Sequence, residues 1–149
     1  MKTKITAGIL LMLATLLACK DDEKEMTSIV GKWKGTLAEV ELHPFGIPLP
    51  ISRDDDNFDT EIEFKSDATL IISDTPPAEG SWQIVDDKLI TDIDFSTDFI
   101  ALTGAYSIQE LTATTLIIYL EKENETITDP DTGQSVSGDI KVTLHFERI

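Results

Sequence analysis

From Ser28 onward the apolar residues fall into short runs that alternate with polar ones. That period of two marks half-buried strands, whereas an amphipathic helix repeats every three to four residues. The clearest run is the last. Ile140, Val142, Leu144 and Phe146 share one face, and Asp139, Lys141, Thr143, His145 and Glu147 share the other. One dry and one wet face is the pattern of an antiparallel sheet. The same reading predicts strands over residues 30–42, 58–64, 68–73, 80–85, 88–94, 104–111, 114–123 and 135–148. Lys65-Ser66-Asp67, Asp86-Asp87 and Thr112-Ala113 are the turns between neighbours, Asp86-Asp87 being a two-residue hairpin loop. Eight strands joined mostly by short hairpins predict an all-β fold, an eight-stranded antiparallel up-and-down barrel whose closure removes its edges. No repeat of 20–50 residues argues for a solenoid or a second domain.

The inward positions of such a barrel include Ile62, Phe64, Leu70, Trp82, Ile84, Tyr106, Ile108, Ile118, Leu120, Val142, Leu144 and Phe146. A barrel of eight strands is just filled by side chains, or just holds one small ligand. These large residues therefore read either as a solid core or as the lining of a narrow apolar cavity, with Trp82 and Tyr106 as candidate ligand contacts.

The N-terminus follows another pattern. Lys2 and Lys4 precede an uncharged, mostly apolar stretch from Ile5 to Ala18. A spanning helix needs about 20 apolar residues, so this run is too short and reads as a secretory signal peptide over residues 1–18. It ends Leu16-Leu17-Ala18-Cys19, which resembles the bacterial lipobox. The resemblance implies cleavage before Cys19 and acylation of that cysteine, and several acyl chains anchor a protein without any transmembrane helix. Residues 19–28 then form a charged tether with no apolar period. From Lys20 through Ser28 the tether has nine residues, a reach of roughly 30 Å. Lys20-Asp21-Asp22-Glu23 is similar to the acidic export signal of surface-displayed lipoproteins in some Gram-negative bacteria. The expected location is the outer membrane, lipid-anchored and facing the cell exterior, with a periplasmic spacer as the alternative.

Within residues 29–149 four short motifs occur in order: Gly31-Lys32-Trp33, Phe64-Lys65-Ser66-Asp67-Ala68-Thr69, Gly80-Ser81-Trp82-Gln83-Ile84, and the hairpin from Ile108 to Ile118. Together they resemble the lipocalin-like domains of small bacterial lipoproteins. The resemblance implies a barrel whose first Trp plugs the closed end under a late Arg, roles that fall on Trp33 and Arg148. Ala68 departs from the family's Gly, which permits positive φ at that turn. A cystatin-like fold or an immunoglobulin-like sandwich is the alternative, disfavoured by the missing long helix and by the meander-like spacing.

The segment His43-Pro44-Phe45-Gly46-Ile47-Pro48-Leu49-Pro50-Ile51 is almost wholly apolar, yet its three prolines oppose pairing as an inner strand. Phe45, Ile47 and Leu49 are expected in a lid or an exposed partner-binding surface, or folded down to cap the core. Asp55, Asn57 and Asp59 have calcium-loop spacing, but Thr60 and Ser66 stand where Gly and Glu are required. Asp129-Pro130-Asp131-Thr132-Gly133 reads as a turn. No metal or other cofactor is expected.

Composition narrows the function classes. The chain of 149 residues carries 28 acids against 12 bases, a net charge of −16, which argues against nucleic acid as a partner. A single Cys excludes an internal disulfide framework. His43 and His145 are the only histidines, no nucleophile or phosphate-loop motif occurs, and carboxylate pairs such as Glu61 and Glu63 are common by chance in so acidic a chain. The expectation is a non-catalytic binding module, touching the membrane through its lipid alone and holding a small apolar ligand. The alternative is a protein-interaction module using the barrel exterior and the 43–51 loop.

Overall fold

The computed structural model describes residues 27–46, 48–73, 76–96, 101–128 and 133–149. Eleven strands form there: β1 (Gly31–Pro44), β2 (Ile51–Asp55), β3 (Glu61–Phe64), β4 (Thr69–Ile72), β5 (Ala78–Val85), β6 (Lys88–Thr91), β7 (Phe95–Ser96), β8 (Ala101–Leu102), β9 (Ala105–Leu111), β10 (Thr115–Thr128) and β11 (Ser135–Arg148). No helix is present among the described residues. Strands β1, β3, β4, β5, β6, β9, β10 and β11 follow one another around a closed antiparallel barrel, which β11 seals by pairing with β1. This is the eight-stranded barrel that the alternation predicts, consistent with a lipocalin-like architecture. Because the sheet closes on itself, the sandwich alternatives do not apply.

The turns follow from residue chemistry. Asp86 and Asp87 take φ of 51° and 60°, the positive pair that a tight hairpin loop demands. Ala68 takes φ of 68°, so the turn keeps the left-handed conformation with a Cβ that opposes it. Ala68→Gly is expected to stabilise the fold by roughly 0.5–1 kcal/mol, the relief of strain exceeding the added freedom of the unfolded chain. The check is a higher urea midpoint at unchanged slope.

The barrel is lopsided. Strands β3, β4 and β6 have four residues each, whereas β1, β10 and β11 have fourteen. The long strands rise past the rim, and β2 extends them. It pairs with the upper half of β1, Ala38–Leu42, while β3 pairs with the lower part, Gly31–Lys34. Between β2 and β3 the chain sends Phe58 inward over Gly35, where a Cβ would lie 2.6 Å from the Phe58 ring. The register of β1 against β11 shifts at the same place, between Gly35 and Leu37.

Neither β2 nor the β7–β8 ribbon falls within the strands that alternation predicts. β1 also runs on to Pro44, so His43 sits in a strand, across from Asp139, and not in the apolar loop. Pro44 can end the strand because Phe45 N–H takes over the bonding to Ser137 O at 3.1 Å. Gly138 opposite has no room for a side chain: a Cβ would fall 2.2 Å from the His43 carbonyl oxygen.

The ribbon fills the barrel. Phe95 and Leu102 are fully buried, and Phe95 packs edge-on to Tyr106 at 5.2 Å and lies 6.2 Å from Phe146. Phe146 meets Phe58 edge-on at 5.4 Å. Together with Trp33, Phe64, Leu70, Ile118 and Leu144 these side chains make one continuous core. Three expected core residues lie outside it in whole or part, Trp82 being half-buried against it. Ile84 is 42% exposed, two residues from the β5–β6 turn, and Ile108 is half-buried against the core edge.

Candidate functional site at the barrel mouth

The two ends of the barrel differ. At one end Trp33 is fully buried and its indole N–H donates to Ile29 O at 2.8 Å. The Arg148 guanidinium carbon lies 4.2 Å from the centre of the Trp33 ring. Its Nη1 donates to Val30 O at 2.9 Å and its Nη2 to Ser28 O at 2.6 Å. Gly31 is required beneath it: φ is +141°, and a Cβ would meet Nη1 at 2.5 Å. This end is closed, and the clamp fixes Ser28 there.

The other end carries a cavity of about 150 Å³ lined by Val40, Leu42, Ile51, Arg53, Ile127, Gln134 and Val136. The strand register builds it. Leu42 pairs with Ile51, Val40 with Arg53, and Ile127 with Val136, so these side chains come from facing positions on the risen strands. Five aliphatic residues and two polar ones suit an apolar group with a polar end. Next to the cavity, Phe45 is 57% exposed and Leu49 72% exposed in the loop between β1 and β2, and Ile51 is 43% exposed. Three exposed apolar side chains thus lie on this side, the others among the described residues being Ile84, Val85 and Ile149, and Phe45 and Leu49 do not fold down as a cap on the core.

The sequence-derived candidates are distributed as follows. Phe45 and Leu49 stand at the mouth, whereas Ile47 and Cys19 lie outside the described residues. Tyr106 is fully buried and its hydroxyl donates to Leu102 O, so it lines no mouth cavity. Burial pushes that hydroxyl far above the ordinary tyrosine range. Trp82 is half-buried, edge-on to Phe64 at 5.4 Å, and donates from Nε1 to Lys65 O at 3.1 Å. It lines a separate open pocket of about 420 Å³ with Ala68, Gln83, Ile90 and Thr91, away from the cavity at the mouth.

Both histidines sit on the wet face of the β1–β11 pair. His145 Nε2 lies 2.7 Å from Glu39 Oε2, and His43 Nε2 lies 2.7 Å from Glu41 Oε1. Neither lines the mouth cavity. Asp55 does not point to an ion: its Oδ1 accepts from Asn57 N–H at 2.9 Å, which makes it the cap of a turn. Residues 129–132 lie outside the described residues.

No protein-family model, curated protein or solved structure matches the chain.

Electrostatics adds one structural feature. Asp92 accepts from Ser81 N–H at 2.6 Å and Ser81 Oγ at 2.9 Å, and those bonds hold its carboxyl below the usual carboxylate range. Bonds from Thr69 lower Asp67 in the same way. A depressed folded-state pKa contributes stability above the ordinary value of 3.8 and loses it as pH falls through the folded value. Stability is thus expected to hold from neutrality down to about pH 4 on account of these two groups and then to fall. In urea melts across pH, Asp92→Ala is expected to flatten part of that acid limb.

Proposed function

We propose that the chain is a lipid-anchored, non-catalytic module that binds a small apolar group at its mouth, with the barrel itself a solid support. The apolar cavity at one end, with Phe45, Leu49 and Ile51 exposed beside it, carries this reading. Trp33, Phe64, Phe95, Tyr106 and Phe146 leave the interior full, while Leu42, Ile51, Ile127 and Val136 surround a cavity of about 150 Å³. An engineered apolar cavity of about 150 Å³ binds benzene, so the occupant is a ring or a short branched alkyl end and not a whole lipid. The basic start, the apolar run to Ala18 and the Leu16-Leu17-Ala18-Cys19 ending support acylation at Cys19, hence an outer-membrane location with the domain facing outward.

The test is titration of the protein with indole. A dissociation constant on the order of 1 mM is expected for so few atoms. Ile51→Asp, a change at a partly exposed position, is expected to weaken binding at least tenfold. Equal binding by this variant would put the site elsewhere. Cys19→Ala is expected to release the protein from the membrane fraction, and retention there would remove the anchor from the account.

The exposure of Phe45 and Leu49 favours a second reading, in which the same end docks a partner protein. Neither side chain is needed to fill the core, and both stand beside the cavity.

A further inference from the structure

We infer that the mouth receives an extended segment of a partner protein, one mixing apolar residues with lysine or arginine, which adds as a strand to the outer edge of β2. It rests on the mouth being a binding site and names the occupant. β2 is bonded to β1 along one edge, and no described strand pairs with its other edge. An added strand there would place every second side chain on the face that carries Ile51 and the cavity. Its main-chain bonds would supply affinity, and the cavity would select an apolar side chain.

The other open edge is defended. Above Tyr119, β10 pairs only with β11, but its register shifts between Lys122 and Glu125, and Asn124 there has φ of 59°. A bulge flanked by Glu121, Lys122, Glu123 and Glu125 opposes pairing with another strand. β2 has no such shift in its register.

Charge narrows the partner. The wet side of this strip carries Glu39 and Glu41 on β1, which have His145, His43 and Lys141 beside them, and Asp54 on the edge strand β2, directly across from Glu39. Residues 29–149 hold 24 acids against 8 bases. A second copy would bring the same acids to the same edge, and like charges facing each other oppose pairing. An anionic bilayer is repelled for the same reason. A segment alternating apolar and basic residues satisfies the cavity, the edge and the acids together.

The experiment uses the full-length protein and a fluorescein-labelled ten-residue peptide alternating Val and Lys, read by anisotropy. Saturable micromolar binding that weakens with added salt is expected. The same peptide N-methylated at every residue is expected to bind at least tenfold more weakly, and a Val–Glu counterpart not at all. The double variant Leu49→Ser/Ile51→Ser, altered only at partly exposed positions, is expected to lose at least fivefold. Equal binding of the N-methylated or the Val–Glu peptide would overturn the inference, as would an unaffected double variant. So would self-association by sedimentation, or uptake by phosphatidylglycerol vesicles, of the full-length Cys19→Ala protein in place of peptide binding. If indole binds and the Val–Lys peptide does not, strand addition fails while the mouth site stands. If neither binds, both fall.

Discussion

Phe95→Ala is expected to destabilise the protein by about 4 kcal/mol and to open a cavity inside the barrel that takes up benzene. Phe95 is fully buried and touches rings on two different barrel strands, Tyr106 of β9 and Phe146 of β11. Its removal costs the transfer energy of a benzyl group and leaves a hole that the rigid barrel wall cannot close. The contrast with Phe45→Ala is the informative part. That side chain is 57% exposed in the mouth loop, and its loss is expected to move stability by less than about 0.5 kcal/mol. Chemical denaturation of the two variants checks both values. A small effect at Phe95 would mean that the ribbon is not the filling of the barrel.

The second large effect is at the closed end. Arg148→Ala is expected to cost about 3 kcal/mol, because two hydrogen bonds to a charged donor and a stacked cation are lost at once. The carbonyls of Ser28 and Val30 lose their donors, and the Trp33 face loses its cover. Arg148→Lys is expected to restore less than half of that, since an ammonium cannot bridge both carbonyls while lying flat on an indole. Hydrogen exchange gives a second readout. Amides before Gly31 are expected to lose protection in Arg148→Ala, while those at the mouth keep it. Uniform loss across the barrel would deny the clamp a local role.

The elements legible from sequence were those with one dry face and one wet one. β11 shows a strict alternation from Asp139 to Glu147 because its inner face meets the core throughout that stretch. The Asp86-Asp87 hairpin was legible because only a few residues accept positive φ twice in succession. β2 was not, since Ile51-Ser52-Arg53-Asp54-Asp55 is exposed on almost every residue and exists only because β1 offers it an edge. The β7–β8 ribbon, with two residues in each arm, is too short to carry any period. The site was half legible. Phe45 and Leu49 stood out as apolar residues among prolines. The cavity they adjoin joins residues from positions 40 to 136, brought together by register alone, and no local pattern announces that. Tyr106 drew attention as a large inward residue, and the feature that makes it core is Phe95, which sits in the unread ribbon.

A full barrel leaves the proposed binding space at its mouth. Diffraction from crystals pressurised with xenon, which enters dry apolar cavities, tests it most directly. Xenon is expected among Val40, Leu42, Ile51, Ile127 and Val136. Xenon among Phe95, Tyr106 and Phe146, with none at the mouth, would contradict it.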